Sequence, residues 1–156
     1  MKPINLEQKN VLFAGWGCEN PKDTYSYQIY NLLLRKIFPK LKTFDLKKNY
    51  FQEGRDVMNK ELLNKINSEK FNLLIFSLDN DEVKIETFFE LNEKYPKIKK
   101  IILICDDDSR FEIWSRYYAL FFDLILQSPP MQEEYIKDGI KNSSFHFDYN
   151  TYQLEP

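Results

Sequence analysis

The chain has 156 residues but only 4 glycines, 2 cysteines and 1 histidine. So few glycines leave little room for loops that cradle phosphates through close backbone approach. The two cysteines, Cys18 and Cys105, belong to no metal-ligand spacing and read as free thiols. One histidine cannot supply a zinc set, and a serine triad built on it would lack any nucleophile-elbow motif. That residue, His146, sits between Phe145 and Phe147 in an expected strand, where an edge or core role suits it better than catalysis. No sign of charge dominates either: 22 Lys and Arg stand against 24 Asp and Glu, interspersed, which removes any general attraction to nucleic acid. The longest apolar stretch, Tyr117 to Leu126, is interrupted by Asp123 and is too short to span a bilayer. The N-terminus lacks the apolar core of a signal peptide, so the cytoplasm is the expected location.

Hydrophobic residues make up 43% and aromatics 16%, enough for residues 1–156 to form one domain with one core. Strands are expected at 10–14, 42–46, 72–78, 100–105, 123–127 and 144–147, from short apolar runs bounded by polar residues. Helical spacing marks 25–38, 57–66, 81–95 and 110–121, and Pro129 and Pro130 open a helix to about Lys137, with Gly139 as its C-terminal cap. Strand then helix, repeated about five times, predicts an α/β, Rossmann-like parallel sheet with helices on both faces.

Two places on this frame can carry chemistry. Ile101 to Cys105 runs straight into Asp106, Asp107, Asp108, Ser109 and Arg110, and the carboxyl ends of parallel strands are where open α/β sheets bind ligands. Either the carboxylates line a cleft, or one caps the next helix and the others are solvated. One acidic cluster has too few ligands to argue for a metal. The second place is Gly15-Trp16-Gly17 after the first strand. It lacks the third glycine of a dinucleotide fingerprint, since position 20 is Asn20, and Trp16 is too bulky for close approach to a pyrophosphate. Trp16, Glu19, Asn20 and Tyr25 suit instead a pocket for a polar, ring-shaped ligand such as a sugar, or a loop anchored by one tryptophan. The aromatics Phe111, Trp114, Tyr117, Tyr118, Phe121 and Phe122 recur at helical core spacing, flanked by Arg110 and Arg116.

The run Asp107-Asp108-Ser109-Arg110-Phe111, with Ser115-Arg116-Tyr117-Tyr118, Phe122-Asp123-Leu124-Ile125-Leu126, Tyr135, Gly139, Phe147 and the tail residues Asn150, Tyr152 and Pro156, resembles the N-terminal domain of CgeB-like (spore maturation protein family) glycosyltransferases. The likeness covers about the last third of the chain, with Phe13-Ala14-Gly15 as pattern-level support earlier. It implies the acceptor-side half of a GT-B glycosyltransferase. Such an enzyme transfers a sugar from a nucleotide-sugar donor, bound mainly by a C-terminal domain absent here, to an acceptor hydroxyl. The chain would then be an excised domain or a naturally short relative. The nucleotide-sugar is a co-substrate, and no covalently bound cofactor is expected. Under an inverting mechanism, Asp106 or Asp107 serves as general base, and Gly15, Trp16, Gly17, Asn20, Asp108 and Arg110 contact substrate. The alternative is a stand-alone flavodoxin-like ligand-binding, signalling or protein-interaction module without catalysis. Its acids do not follow the first strand as they do in phosphoryl receivers.

Overall fold

The computed structural model describes residues 9–22, 24–105, 107–128 and 131–145. They form a six-stranded, all-parallel sheet in the order β2-β1-β3-β4-β5-β6, an α/β fold of Rossmann-like type. The strands are β1 (Val11–Gly15), β2 (Lys42–Asp45), β3 (Leu73–Ser77), β4 (Lys99–Cys105), β5 (Leu124–Ser128) and β6 (Ser143–Phe145). Each lies within a residue or two of its expected position. His146 and Phe147, at the end of the last expected strand, lie outside the described residues.

Alternation along the strands divides the core in two. Leu12, Ala14, Phe44, Leu74, Phe76, Ile102, Ile104 and Ile125 point to one face, and Val11, Phe13, Ile75 and Leu103 to the other. The first face receives most of the helical mass: α2 (Leu46–Glu53), α3 (Arg55–Ser68), α4 (Ile85–Lys94), the segment 107–121 and α7 (Gln132–Lys137). On this face Phe88 packs edge-on against Phe76, Tyr118 and Phe122, with ring centroids 5.1 to 5.5 Å apart. These are the spacings at which aromatic rings attract beyond simple burial. The second face is covered by the helix that begins as a π-helix at Thr24–Asn31 and continues as α1 (Leu32–Ile37), through Tyr30, Leu34 and Phe38.

Two helical regions differ from the sequence expectation. The helix α2 is not legible as a periodic run, because its polar sequence LKKNYFQE buries only Leu46. It forms because Asp45, the last residue of β2, caps it by accepting from the Lys48 N–H at 2.9 Å. Gly54, at φ +83°, then ends it. The second region is the expected continuous helix 110–121. It is built of four short pieces: α5 (Asp107–Arg110), a π-turn (Phe111–Ser115), α6 (Arg116–Tyr118) and a 3-10 turn (Ala119–Phe121). Among the described residues, no helix is long and apolar enough to cross a membrane.

Candidate functional site

From β1 the chain moves outward to β2, then returns past β1 to β3 and continues in the other direction. The strand order therefore reverses between β1 and β3, and open α/β sheets form their ligand crevice outside the carboxyl ends at such a point. The loops leaving β1 and β3 face each other there. They are tied by the Trp16 N–H, which donates to the Ser77 carbonyl at 3.1 Å.

The turn after β1 is already filled by an anion of the chain's own. Asp45 accepts from the Gly17 N–H at 3.1 Å and the Glu19 N–H at 2.9 Å while it caps α2. Donors that would cradle a phosphate in a dinucleotide fold are thus spent on this carboxylate. The glycines serve the turn itself. Gly17 stands at φ +80°, and a Cβ on Gly15 would lie 2.8 Å from Phe13 Cζ and 3.0 Å from Cys18 Cβ.

Beside this turn lies a cavity of about 230 Å³ lined by Trp16, Tyr50, Arg55, Asp79, Asn80, Asp81 and Glu82. Its aromatic wall comes from Trp16, whose ring sits 5.8 Å from Tyr50 and 6.0 Å from Phe51. The opposite wall is the loop after β3, shaped by Glu82. This buried carboxylate accepts the Asp79 N–H at 2.9 Å and the Asn80 N–H at 2.7 Å. Burial pushes the Glu82 carboxyl up to about 7, against the opposing pull of those hydrogen bonds. Asn59 of α3 holds the loop from below with all four of its hydrogen-bonding positions. It donates to the Arg55 and Glu82 carbonyls and accepts from the Lys84 N–H and the Thr87 hydroxyl. The exposed acids are neutralised in place: Arg55 pairs with Asp81 at 3.0 Å, and Arg110 with Asp79 at 3.4 Å.

The residues expected to form a site separate in the structure. Trp16 lines the cavity, and Gly15 and Gly17 build the turn that presents it. Arg110 reaches the same loop through Asp79. Asn20 is exposed and accepts from the Lys22 N–H, and Glu19 accepts from the Thr43 hydroxyl. Asp108 is exposed and accepts the Ser109 N–H. Asp107, by contrast, is fully buried and spends its carboxylate inside the protein. It accepts from the Ser115 hydroxyl and, at 2.8 Å, from the Tyr135 hydroxyl. The Gln127 amide, in the orientation that satisfies both its neighbours, adds a third donor to Asp107 and accepts from the Gln132 N–H. Burial raises the Asp107 carboxyl above the usual range, opposed by the Ser115 and Tyr135 hydrogen bonds. Asp106, His146, Asn150, Tyr152, Pro156 and the side chain of Tyr25 lie outside the described residues.

Tyr50, Arg55, Asp79, Asn80, Asp81 and Glu82 escape the sequence reading. The stretch Asp79 to Glu82 carried the same signal as the Asp106 to Asp108 triplet, a buried strand running into acids. Only the strand order, which puts β3 and not β4 beside β1, decides which cluster faces the switch point.

Fold and crevice together define an α/β domain with a crevice of mixed aromatic and polar character at the switch point. No protein-family model matches the chain, and no curated protein matches its sequence.

Proposed function

We propose that this domain binds a sugar acceptor in the crevice between Trp16 and the Asp79 to Glu82 loop, as the acceptor-side half of a glycosyltransferase that uses a nucleotide-sugar donor. The observation that carries the reading is the composition of that crevice. Trp16 and Tyr50 offer apolar ring surface, and facing them are carboxylates already paired with arginines. Such pairs present fixed donors and acceptors without net charge, which suits a neutral polyhydroxyl ligand better than a phosphate or an amine. The Asp45 carboxylate in the β1 turn supports the same division of labour, with the donor's phosphates held elsewhere.

An acceptor hydroxyl needs a base within hydrogen-bond reach. Asp79, with its side chain 55% exposed and paired with Arg110 only at 3.4 Å, stands nearest that requirement among the described crevice residues. The enclosure of Asp107 by Ser115, Tyr135 and Gln127 favours a second reading, ligand binding without catalysis by this chain alone.

Titration with monosaccharides and with uridine-diphosphate sugars, read by Trp16 fluorescence after subtracting the signal of a Trp16→Phe variant, tests the proposal. A saturable change that is weakened in Tyr50→Ala, which keeps the Trp16 reporter, is expected. No response to any sugar well above millimolar concentration sinks the reading. A response to the free nucleotide alone would move the donor, rather than the acceptor, into this crevice.

A further inference from the structure

The crevice does not end at Arg55 and Asp81. The same two residues also line a second cavity of about 680 Å³, between the start of α4 and the segment 107–121. Their ion pair is the boundary the two compartments share.

The second compartment differs in chemistry from the first. Its walls are largely Ile85, Ile113, Trp114, Tyr117 and Tyr118. Segment 107–121 turns Phe111, Trp114 and Tyr118 into the core, yet leaves Ile113 72% and Tyr117 50% exposed one turn apart along this cavity. Two of its polar side chains are committed, while the buried Trp114 Nε1–H has no partner among the described residues and Glu86 lines the same wall. The Tyr118 hydroxyl donates to the Val83 carbonyl at 2.7 Å, and Lys84 pairs with Asp56. A second sugar unit placed here would set much of its surface against Ile85 and Ile113, and the hydroxyls facing those two side chains would lose hydration without recovering hydrogen bonds. An apolar or aromatic group would gain by the same burial.

We propose that the acceptor carries an apolar or aromatic aglycone next to its sugar, and that this aglycone occupies the compartment walled by Ile113, Trp114 and Tyr117. The inference rests on the reading of the smaller crevice as a sugar site. The sugar lies on Trp16, the linkage passes the Arg55–Asp81 pair, and the aglycone leaves water on the far side of it.

The test compares methyl and 4-nitrophenyl glycosides of glucose, galactose, mannose and N-acetylglucosamine, titrated into the ¹⁵N-labelled chain. For the sugar that binds, the nitrophenyl form is expected to bind about tenfold more tightly, about 1.4 kcal/mol. Its shifts should appear at Ile113, Trp114 and Tyr117 as well as at Trp16. Ile113→Ser, at an exposed position where folding is not at stake, should weaken the nitrophenyl glycoside more than the methyl one. Equal affinities, or a gain that survives Ile113→Ser, overturn the aglycone site while leaving the sugar site standing. Binding of free 4-nitrophenol as tight as that of its glycosides, without shifts at Trp16, overturns both, as does failure of every glycoside to bind.

Discussion

The Gly17 N–H donates to the Asp45 carboxylate at 3.1 Å, so the turn after the first strand and the cap of α2 are held by one buried side chain. Through this contact the end of β2 positions the loop that carries Trp16, while Tyr50 on the capped helix packs against the same ring.

Asp45→Ala removes one helix cap and leaves two further N–H groups near the core without an acceptor. The expected cost is about 2–4 kcal/mol, summing a cap of about 1 kcal/mol with the desolvation of unpaired donors. Asp45→Asn keeps one acceptor oxygen and should cost less. Urea unfolding of the three chains measures this, and equal stability of Asp45→Ala and the parent would remove Asp45 from its bridging role.

Glu82 makes the stability of the fold depend on pH. Burial is the first cause of its raised pKa, and Asp79 is the nearest like charge that adds to it. Because the folded chain holds this proton more tightly than the unfolded chain, the contribution is fully present below the usual carboxyl range near 4.5. It is lost as the pH rises to about 7. The loss is on the order of 3 kcal/mol. Stability measured by urea at pH 5 and pH 8 should fall across that interval. Glu82→Gln should flatten the fall, leaving the smaller part of the same sign from Asp107. A slope unchanged by Glu82→Gln would assign the effect to other groups.

Asn59 is a buried side chain that joins α3 to the loop after β3. Asn59→Ala leaves the Lys84 N–H and the buried Thr87 hydroxyl without their acceptor, and is expected to destabilise the chain by about 2–4 kcal/mol. Asn59→Asp keeps the acceptor but turns a charge onto the Arg55 and Glu82 carbonyls, so it should not rescue. Thermal melts of both variants check this.

The two thiols differ in reactivity. Cys18 is fully buried and its thiol is pushed up to about 12, by burial first and then by the Asp45 charge, so almost no thiolate forms near neutral pH. Cys105 is half-buried with its sulfur 2.8 Å from the Tyr30 hydroxyl. Ellman's reagent at pH 8 should modify Cys105 slowly and Cys18 only on unfolding. Mass spectrometry of the modified peptides identifies which residue reacts, and rapid labelling of Cys18 would show that the β1 turn opens readily.

The amino-acid sequence by itself determined the strands. Alternation and short apolar runs place six strands, because a strand buried on both faces must be apolar throughout. It also offered Trp16 as a pocket residue or a loop anchor, from its place at the carboxyl edge of the sheet. The tertiary structure decided which acids matter at the switch point, since Asp79 to Glu82 and Asp106 to Asp108 look alike until the strand order sets β3 beside β1. It decided too that Asp107 is an internal acceptor for Ser115 and Tyr135, residues 8 and 28 positions away. Local pattern reports which face a side chain takes along its own element. Which partners it meets there depends on contacts between residues far apart in the chain, and no local periodicity encodes those.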